Sequence, residues 1–175
     1  MPFDINNLRV GVIGLGYVGL PLAVEFGKQY PTLGFDVKTD RIAALEKGVD
    51  STLEASKDEL QSAKHLSFST DPTALAECNF YVVTVPTPIG DGNRPLLTSL
   101  NNASTTLGGV ISKGDVVVFE STVYPGATEE FCVPILEKGS GLTMNTDFFV
   151  GYSPERINPG DKEHRLSSIL KVTSG

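Results

Sequence analysis

Val10-Gly11-Val12-Ile13-Gly14-Leu15-Gly16-Tyr17-Val18-Gly19-Leu20-Pro21-Leu22-Ala23 is the most informative stretch of this chain. Residues 8–13 form an apolar, β-branched run that predicts a buried strand. The spacing Gly14-x-Gly16-x-x-Gly19 predicts a tight turn into a helix over 20–29, with Pro21 tolerated in its first turn. Each glycine has a separate physical task. Gly14 takes the turn, Gly16 lets the backbone approach a pyrophosphate where a Cβ would intrude, and Gly19 lets the helix pack closely. The helix start, with Tyr17 and Val18 just before it, offers free N–H groups to an anion. A second strand over 32–36 ends on Asp36, about 20 residues beyond the glycines, where a carboxylate can accept from the ribose hydroxyls of NAD. That carboxylate would repel the 2′-phosphate of NADP, although Lys38 and Arg41 keep NADP open. Flavin and S-adenosylmethionine are other ligands of such turns. A glycine turn without any cofactor is the bland reading.

The rest of the chain alternates strands and helices. Strands are predicted over 66–69, 80–85, 115–120 and 148–151, with a last one over 169–173. Helices are predicted over 39–47, ended by Gly48, and over 57–64, 72–77 after the cap Asp71, and 99–110. A helix over 127–136 must bend or break near Pro134. Residues 87–98 and 153–164 read as loops. This order predicts an α/β fold: a doubly wound parallel sheet of Rossmann type with helices on both faces. The chain stops directly after the apparent last strand, which predicts a cofactor domain cut from a longer protein.

Composition narrows the function classes. The chain has 175 residues, 40% of them hydrophobic, enough for one core. Its formal net charge is −7, which argues against nucleic acid as a partner. A dinucleotide is also anionic but is held by local backbone dipoles. No apolar run approaches a membrane span, and residues 1–7 are unlike a signal peptide. Cys78 and Cys132 make no disulfide framework, and His65 and His164 make no local metal set. The expectation is a reduced, cytoplasmic protein without a metal or a membrane partner. Both cysteines read as small buried hydrophobes rather than nucleophiles.

In an open α/β sheet the ligand crosses the carboxyl ends of the strands. Three segments lie there: 83–88, 120–126 and 152–158. Pro86 and Pro88 either wall the adenosine side of the cofactor or simply end a strand. The Thr122 hydroxyl either holds a water or substrate oxygen, or caps the helix beginning near Gly126. Glu120 pairs with loop backbone or touches the nicotinamide ribose. Glu155 either orients water and takes a proton, or is a solvated loop acid. His164 and Arg165 read as charged surface, or as a contact for substrate or a neighbouring domain.

Four motifs in order, VGVIGLGYVGLPLA (10–23), YVVTVPTP (81–88), ESTVYPGATEE (120–130) and GYSPERINPGDKEHRL (151–166), are spread along nearly the whole chain. Together they resemble the N-terminal domain of the nucleotide-sugar 6-dehydrogenase family, typified by UDP-glucose and UDP-mannuronate enzymes. The PERINPGD form is similar to the bacterial branch that oxidises UDP-N-acetylhexosamines for surface polysaccharides, including the UDP-N-acetylgalactosamine and Vi-antigen type. The resemblance implies oxidation of the sugar C6 alcohol to a carboxylate by two NAD⁺, through a thiohemiacetal and a thioester on a cysteine. It implies that Thr122 holds a water used in proton transfer and that Glu155 is the catalytic glutamate. Asp36 then takes the adenosine ribose, with Arg41 nearby, and Thr84, Pro86, Thr87 and Ser121 line the cofactor.

There are departures from the family pattern. Pro95-Leu96-Leu97 stands where the family often has Pro-Asp-Leu, and Pro159 stands where UDP-glucose members carry a second glutamate. The resemblance places the catalytic cysteine, the long central helix, the UDP-sugar domain and the main dimer contact beyond residue 175. Residues 1–175 are therefore expected to be the NAD domain, inactive alone. The alternatives are a UDP-glucose 6-dehydrogenase domain, a hydroxy-acid dehydrogenase domain, or a non-catalytic dinucleotide-sensing module.

Overall fold

A computed structural model describes residues 4–155 and 171–175. Six parallel strands build one sheet: β1 (Val10–Ile13), β2 (Thr32–Phe35), β3 (Leu66–Ser69), β4 (Phe80–Val83), β5 (Val116–Phe119) and β6 (Phe149–Tyr152). Their order across the sheet is β3-β2-β1-β4-β5-β6. β1 pairs with β2 on one side, Ile13 opposite Phe35, and with β4 on the other, Ile13 opposite Val83. The chain direction of winding reverses between β1 and β4, so the loops leaving these two strands diverge and open a crevice.

The helices are α1 (Gly19–Gly27), α2 (Thr39–Glu46), α3 (Lys57–Ser62), α4 (Thr98–Gly108) and α5 (Val133–Ser140). Strand residues alternate between two cores, as a sheet covered on both faces requires. Val10, Val12 and Val82 pack with Leu20, Ala23, Val24 and Leu45 of α1 and α2. Ile13, Tyr81, Val83, Val117 and Phe119 pack with Leu100, Leu107 and Leu136 of α4 and α5. The fold expected from the alternating pattern is the fold observed.

The short helix expected over 72–77 is present as a 3₁₀ helix, started by Asp71, whose Oδ1 accepts from the Thr73 N–H at 2.9 Å. Two local expectations are corrected. The helix expected over 127–136 is irregular before Pro134, and it runs on to Ser140. Residues Thr128–Cys132 make a wide π-type turn in which the Val133 N–H reaches the Thr128 carbonyl. Pro134 then sits in the first turn of α5, where it needs no N–H partner. Gly141, at φ 71°, ends α5.

The second correction concerns the last strand. Ile169 and Leu170 lie outside the described residues, as do Arg156, Asn158, Pro159, His164 and Arg165. Lys171–Thr173 is not a strand, and only Ser174 pairs, antiparallel, with Tyr152.

Both cysteines are free and buried, Cys78 just before β4 and Cys132 in the π-type turn. Burial pushes each thiol up to about 11. At pH 8 iodoacetamide is expected to label the native chain about 100-fold more slowly than the denatured chain. Equal rates, followed by mass spectrometry, would contradict this packing.

Candidate cofactor and active site

The glycine turn is built by β1 and closed by α1. Gly14 has φ +94° and donates its N–H to the Phe35 carbonyl at 2.8 Å. A Cβ on Gly19 would lie 1.9 Å from the Gly14 carbonyl oxygen and 2.3 Å from Thr84 Oγ1. The start of α1 is thus pressed onto the turn itself rather than onto the strand. A Cβ on Gly16 would meet nothing within 4 Å. Gly16 and Tyr17 are exposed, and the N–H groups of Gly16, Tyr17 and Val18 have no acceptor among the described residues. Open space and three unclaimed N–H groups at a helix start suit a pyrophosphate.

Asp36 follows β2 and is half-buried. Its Oδ2 accepts from the Leu15 N–H at 2.9 Å and its Oδ1 from the Lys38 N–H at 3.0 Å. Each carboxylate oxygen keeps a further lone pair for a ribose hydroxyl. Arg41 points the other way. It is buried, and its Nε donates to the Leu15 carbonyl at 2.9 Å. Its Nη1 lies 2.7 Å from Asp50 Oδ1 and donates to Ser51 Oγ at 3.0 Å. Arg41 therefore holds the glycine turn from beneath, with its guanidinium already occupied by protein atoms.

Burial opposes the charge on Asp50, yet the Ala55 N–H, the Thr52 hydroxyl and N–H, and Arg41 outweigh it and hold the carboxyl down at about 2. The Arg41–Asp50 pair was not legible in the sequence, because an arginine in an amphipathic helix is ordinarily a surface residue.

The exits of β4 and β5 form the opposite wall. The Thr84 hydroxyl is buried and directed at the turn, 2.7 Å from the Gly14 carbonyl and 3.1 Å from that of Ile13. Beyond it, two side chains tie the two exits together. Ser121 Oγ donates to the Val85 carbonyl at 2.6 Å, and Thr87 Oγ1 donates to the Thr122 carbonyl at 2.6 Å. Pro86 and Pro88 between them are exposed. Thr122 is exposed, and the helical turn that follows has no side-chain cap, so the capping role weighed for its hydroxyl is not what the structure uses.

Glu120 is a correction. It neither binds loop backbone nor stands free for a ribose: it is buried, and its Oε1 lies 2.5 Å from Lys171 Nζ. Ser153 is buried beside these residues and Glu155 is half-buried after β6. Nothing local in the sequence links positions 120 and 171; only the neighbouring ends of β5 and β6 bring them together. Among the described residues no group of histidine, cysteine and acidic side chains has metal-ligand geometry, and no helix is long and apolar enough to cross a membrane.

Comparison with known proteins bears on this geometry. The family described as "UDP-glucose/GDP-mannose dehydrogenase family, NAD binding domain" matches residues 8–173. The chain is 62% identical over 171 residues to a UDP-N-acetyl-D-glucosamine 6-dehydrogenase of Pseudomonas aeruginosa, covering 98% of the chain and 40% of that protein. It is 58% identical over 173 residues to the enzyme of the same name from Salmonella typhi, covering 99% and 41%. The crystal structure of a GDP-mannose dehydrogenase ternary complex from Pseudomonas aeruginosa superposes with a TM-score of 0.82 at 27% identity, covering 87% of this chain and 37% of that one. The chain thus spans about two fifths of the length of the curated relatives it matches. With its switch-point crevice, glycine turn and matching family model, the chain belongs to the UDP-glucose/GDP-mannose dehydrogenase family, as its NAD-binding domain.

Proposed function

We propose that this chain is the cofactor-binding part of a longer NAD⁺-dependent dehydrogenase that oxidises C6 of a UDP-N-acetylhexosamine to a carboxylate. The observation that carries the cofactor is the open space at Gly16 bordered by three N–H groups without an acceptor among the described residues. The relatives at 62% and 58% identity, both named as UDP-N-acetyl-D-glucosamine 6-dehydrogenases, support the substrate class.

In this reading Gly16, Tyr17 and Val18 hold the pyrophosphate through their N–H groups, with Gly14 and Gly19 shaping the turn. Asp36 accepts from the adenosine ribose, and Arg41 acts from beneath by fixing Leu15. Thr84, Pro86, Thr87 and Ser121 form the wall toward the nicotinamide. NAD⁺, when bound, supplies the hydride acceptor. Thr122 orients a water with its exposed hydroxyl, and Glu155 exchanges the proton lost from or returned to the oxygen on the reacting carbon. Both cysteines are buried, so the chain alone is expected to bind without turnover.

Calorimetric titration tests the cofactor. NAD⁺ is expected to bind at one site and NADP⁺ more weakly, because Asp36 repels a 2′-phosphate. Gly16→Ala should leave the melting temperature unchanged while weakening NAD⁺ by roughly 5- to 150-fold, the equivalent of a 1–3 kcal/mol steric cost. A folded chain that takes up no NAD⁺ would end this reading. For the substrate, the full-length protein is expected to yield two NADH per sugar with a UDP-N-acetylhexosamine and little with UDP-glucose. The reverse preference would overturn the substrate assignment.

A further inference from the structure

β5 reads Val116-Val117-Val118-Phe119, apolar at every position, the pattern of a strand meant for burial on both faces. Val117 and Phe119 are buried against α4 and α5. Val116 and Val118 point to the other side of the sheet, the side of α1, and are only half-buried. β6 repeats the asymmetry. Val150 and Tyr152 pack with the α4–α5 core, whereas Phe149 faces the α1 side and is 38% exposed. The cover on the α1 side is thus incomplete beyond β4.

The open strip is a groove of about 440 Å³. Val82 and Val118 form its floor. Leu22, Phe26 and, just past α1, Gln29 form one wall, and Lys171 and Thr173 the other. The charges at its borders are already matched: Glu120 with Lys171, and Glu25 with Lys28, each at 2.5 Å. What the groove offers an occupant is therefore apolar surface.

Its place in the fold is that of a helix. Helices lie about 10 Å apart on a sheet, about two strand spacings. α1 packs over β1 and β2. Two strands further along the sheet, the next helix falls over β4 and β5, where no described residue forms one. The chain itself leads to this place. Ser174 and Tyr152 exchange both backbone bonds, at 2.8 and 2.9 Å, and Thr173 borders the groove. A Cβ on Gly175 would lie 3.1 Å from the Gly151 Cα of β6. The chain spans about two fifths of the length of its curated relatives, so residues following Gly175 in a longer protein would start at the edge of the groove.

We propose that a helix from the segment following Gly175 in the longer protein lays an apolar stripe into this groove, over β4 and β5. Its apolar residues recur at i, i+3, i+4 and i+7, the spacing that keeps one face on the sheet. Val118 and Val82 meet that stripe from below and Phe26 from the side. Only one premise is shared with the function proposed above: the chain belongs to a longer protein.

The test compares thiol labelling in the 175-residue chain and in the full-length protein. Gln29 is exposed and both native cysteines are buried, so Gln29→Cys supplies a reactive thiol on the groove wall. Iodoacetamide is expected to modify it freely in the 175-residue chain and at least about tenfold more slowly in the full-length protein. Val118→Cys repeats the comparison from the floor. A benzophenone attached through Gln29→Cys should, on illumination of the full-length protein, cross-link to a peptide of the segment following Gly175. In mixed ¹⁵N-labelled and unlabelled protein, mass spectrometry should find both ends of that cross-link in one chain. Equal labelling rates in the two proteins would overturn the proposal. So would a cross-link that joins only different chains, or protection of the 175-residue chain that grows with its concentration, since either makes a second copy the occupant.

Neither readout needs NAD⁺. A protein that protects the groove but binds no NAD⁺ would sink the proposed function alone. One that binds NAD⁺ with the groove open would sink the docking alone.

Discussion

Arg41→Met is expected to lower the free energy of unfolding by about 3–5 kcal/mol, the usual cost of stranding one partner of a buried ion pair. The Asp50 side chain is only 1% exposed and the Arg41 side chain 8%, so water cannot replace the lost guanidinium. The Leu15 carbonyl loses its donor in the same step. For a domain of this size the melting temperature should fall by roughly 10 °C, measured by calorimetry. Arg41→Met with Asp50→Asn should recover part of the loss, since a neutral pair strands no charge. A loss below about 1 kcal/mol would mean that the pair behaves like an exposed one.

Asp50, held by Ala55, Thr52 and Arg41, also sets an acid limit. Asp50 is held at about 2 against an ordinary 3.8, so the folded state binds its proton less readily than the unfolded state. The contribution is complete above pH 3.8 and is lost as pH falls through about 2. Without Arg41 the Ala55 and Thr52 bonds still hold the carboxyl low, so the folded value rises only in part and the slope of stability across that window should flatten slightly.

Gly19→Ala is expected to abolish measurable NAD⁺ binding and to destabilise the chain. The new Cβ has no room: the Gly14 carbonyl at 1.9 Å is backbone, and Thr84 Oγ1 at 2.3 Å is fixed by two carbonyls. Relief requires α1 to move away from the turn, carrying the N–H groups of Tyr17 and Val18 with it. Overpacking of this kind costs about 1–3 kcal/mol in stability. The contrast with Gly16→Ala is the useful control, since that position opens on space and should lose affinity without stability. An NAD⁺ titration and a urea melt of the two variants would separate packing from binding. Equal behaviour would contradict the division of labour among the glycines.

What could be read from the sequence follows from how far each interaction reaches. The strands were legible because both sheet faces are covered, so residues such as Val116–Phe119 and Phe80–Val83 are apolar almost throughout. The glycine turn and Asp36 were legible because their spacing is local. Thr84, Pro86, Thr87, Ser121 and Thr122 were placed at strand ends by the same logic, and the structure brings them together there. The π-type turn before α5 was foreseen only as an irregularity. Pro134 forbids a regular helix but does not say on which side the chain yields. Arg41–Asp50 and Glu120–Lys171 were hidden because each depends on burial, and burial is a property of the assembled layers. Glu120 in particular reads as a strand-end acid until β6 and residue 171 close over it.

The two ties between the exits of β4 and β5, from Ser121 to Val85 and from Thr87 to Thr122, have a kinetic and entropic corollary. Each binds a side chain of one loop to the backbone of the other, so the two loops form one stiff body rather than two independent ones. The ordering of that wall occurs during folding and not when a ligand arrives. A preorganised wall costs a ligand little conformational entropy to engage. Any shift of Pro86 is also felt at Thr122, so a ligand seated against one loop sets the position of the other.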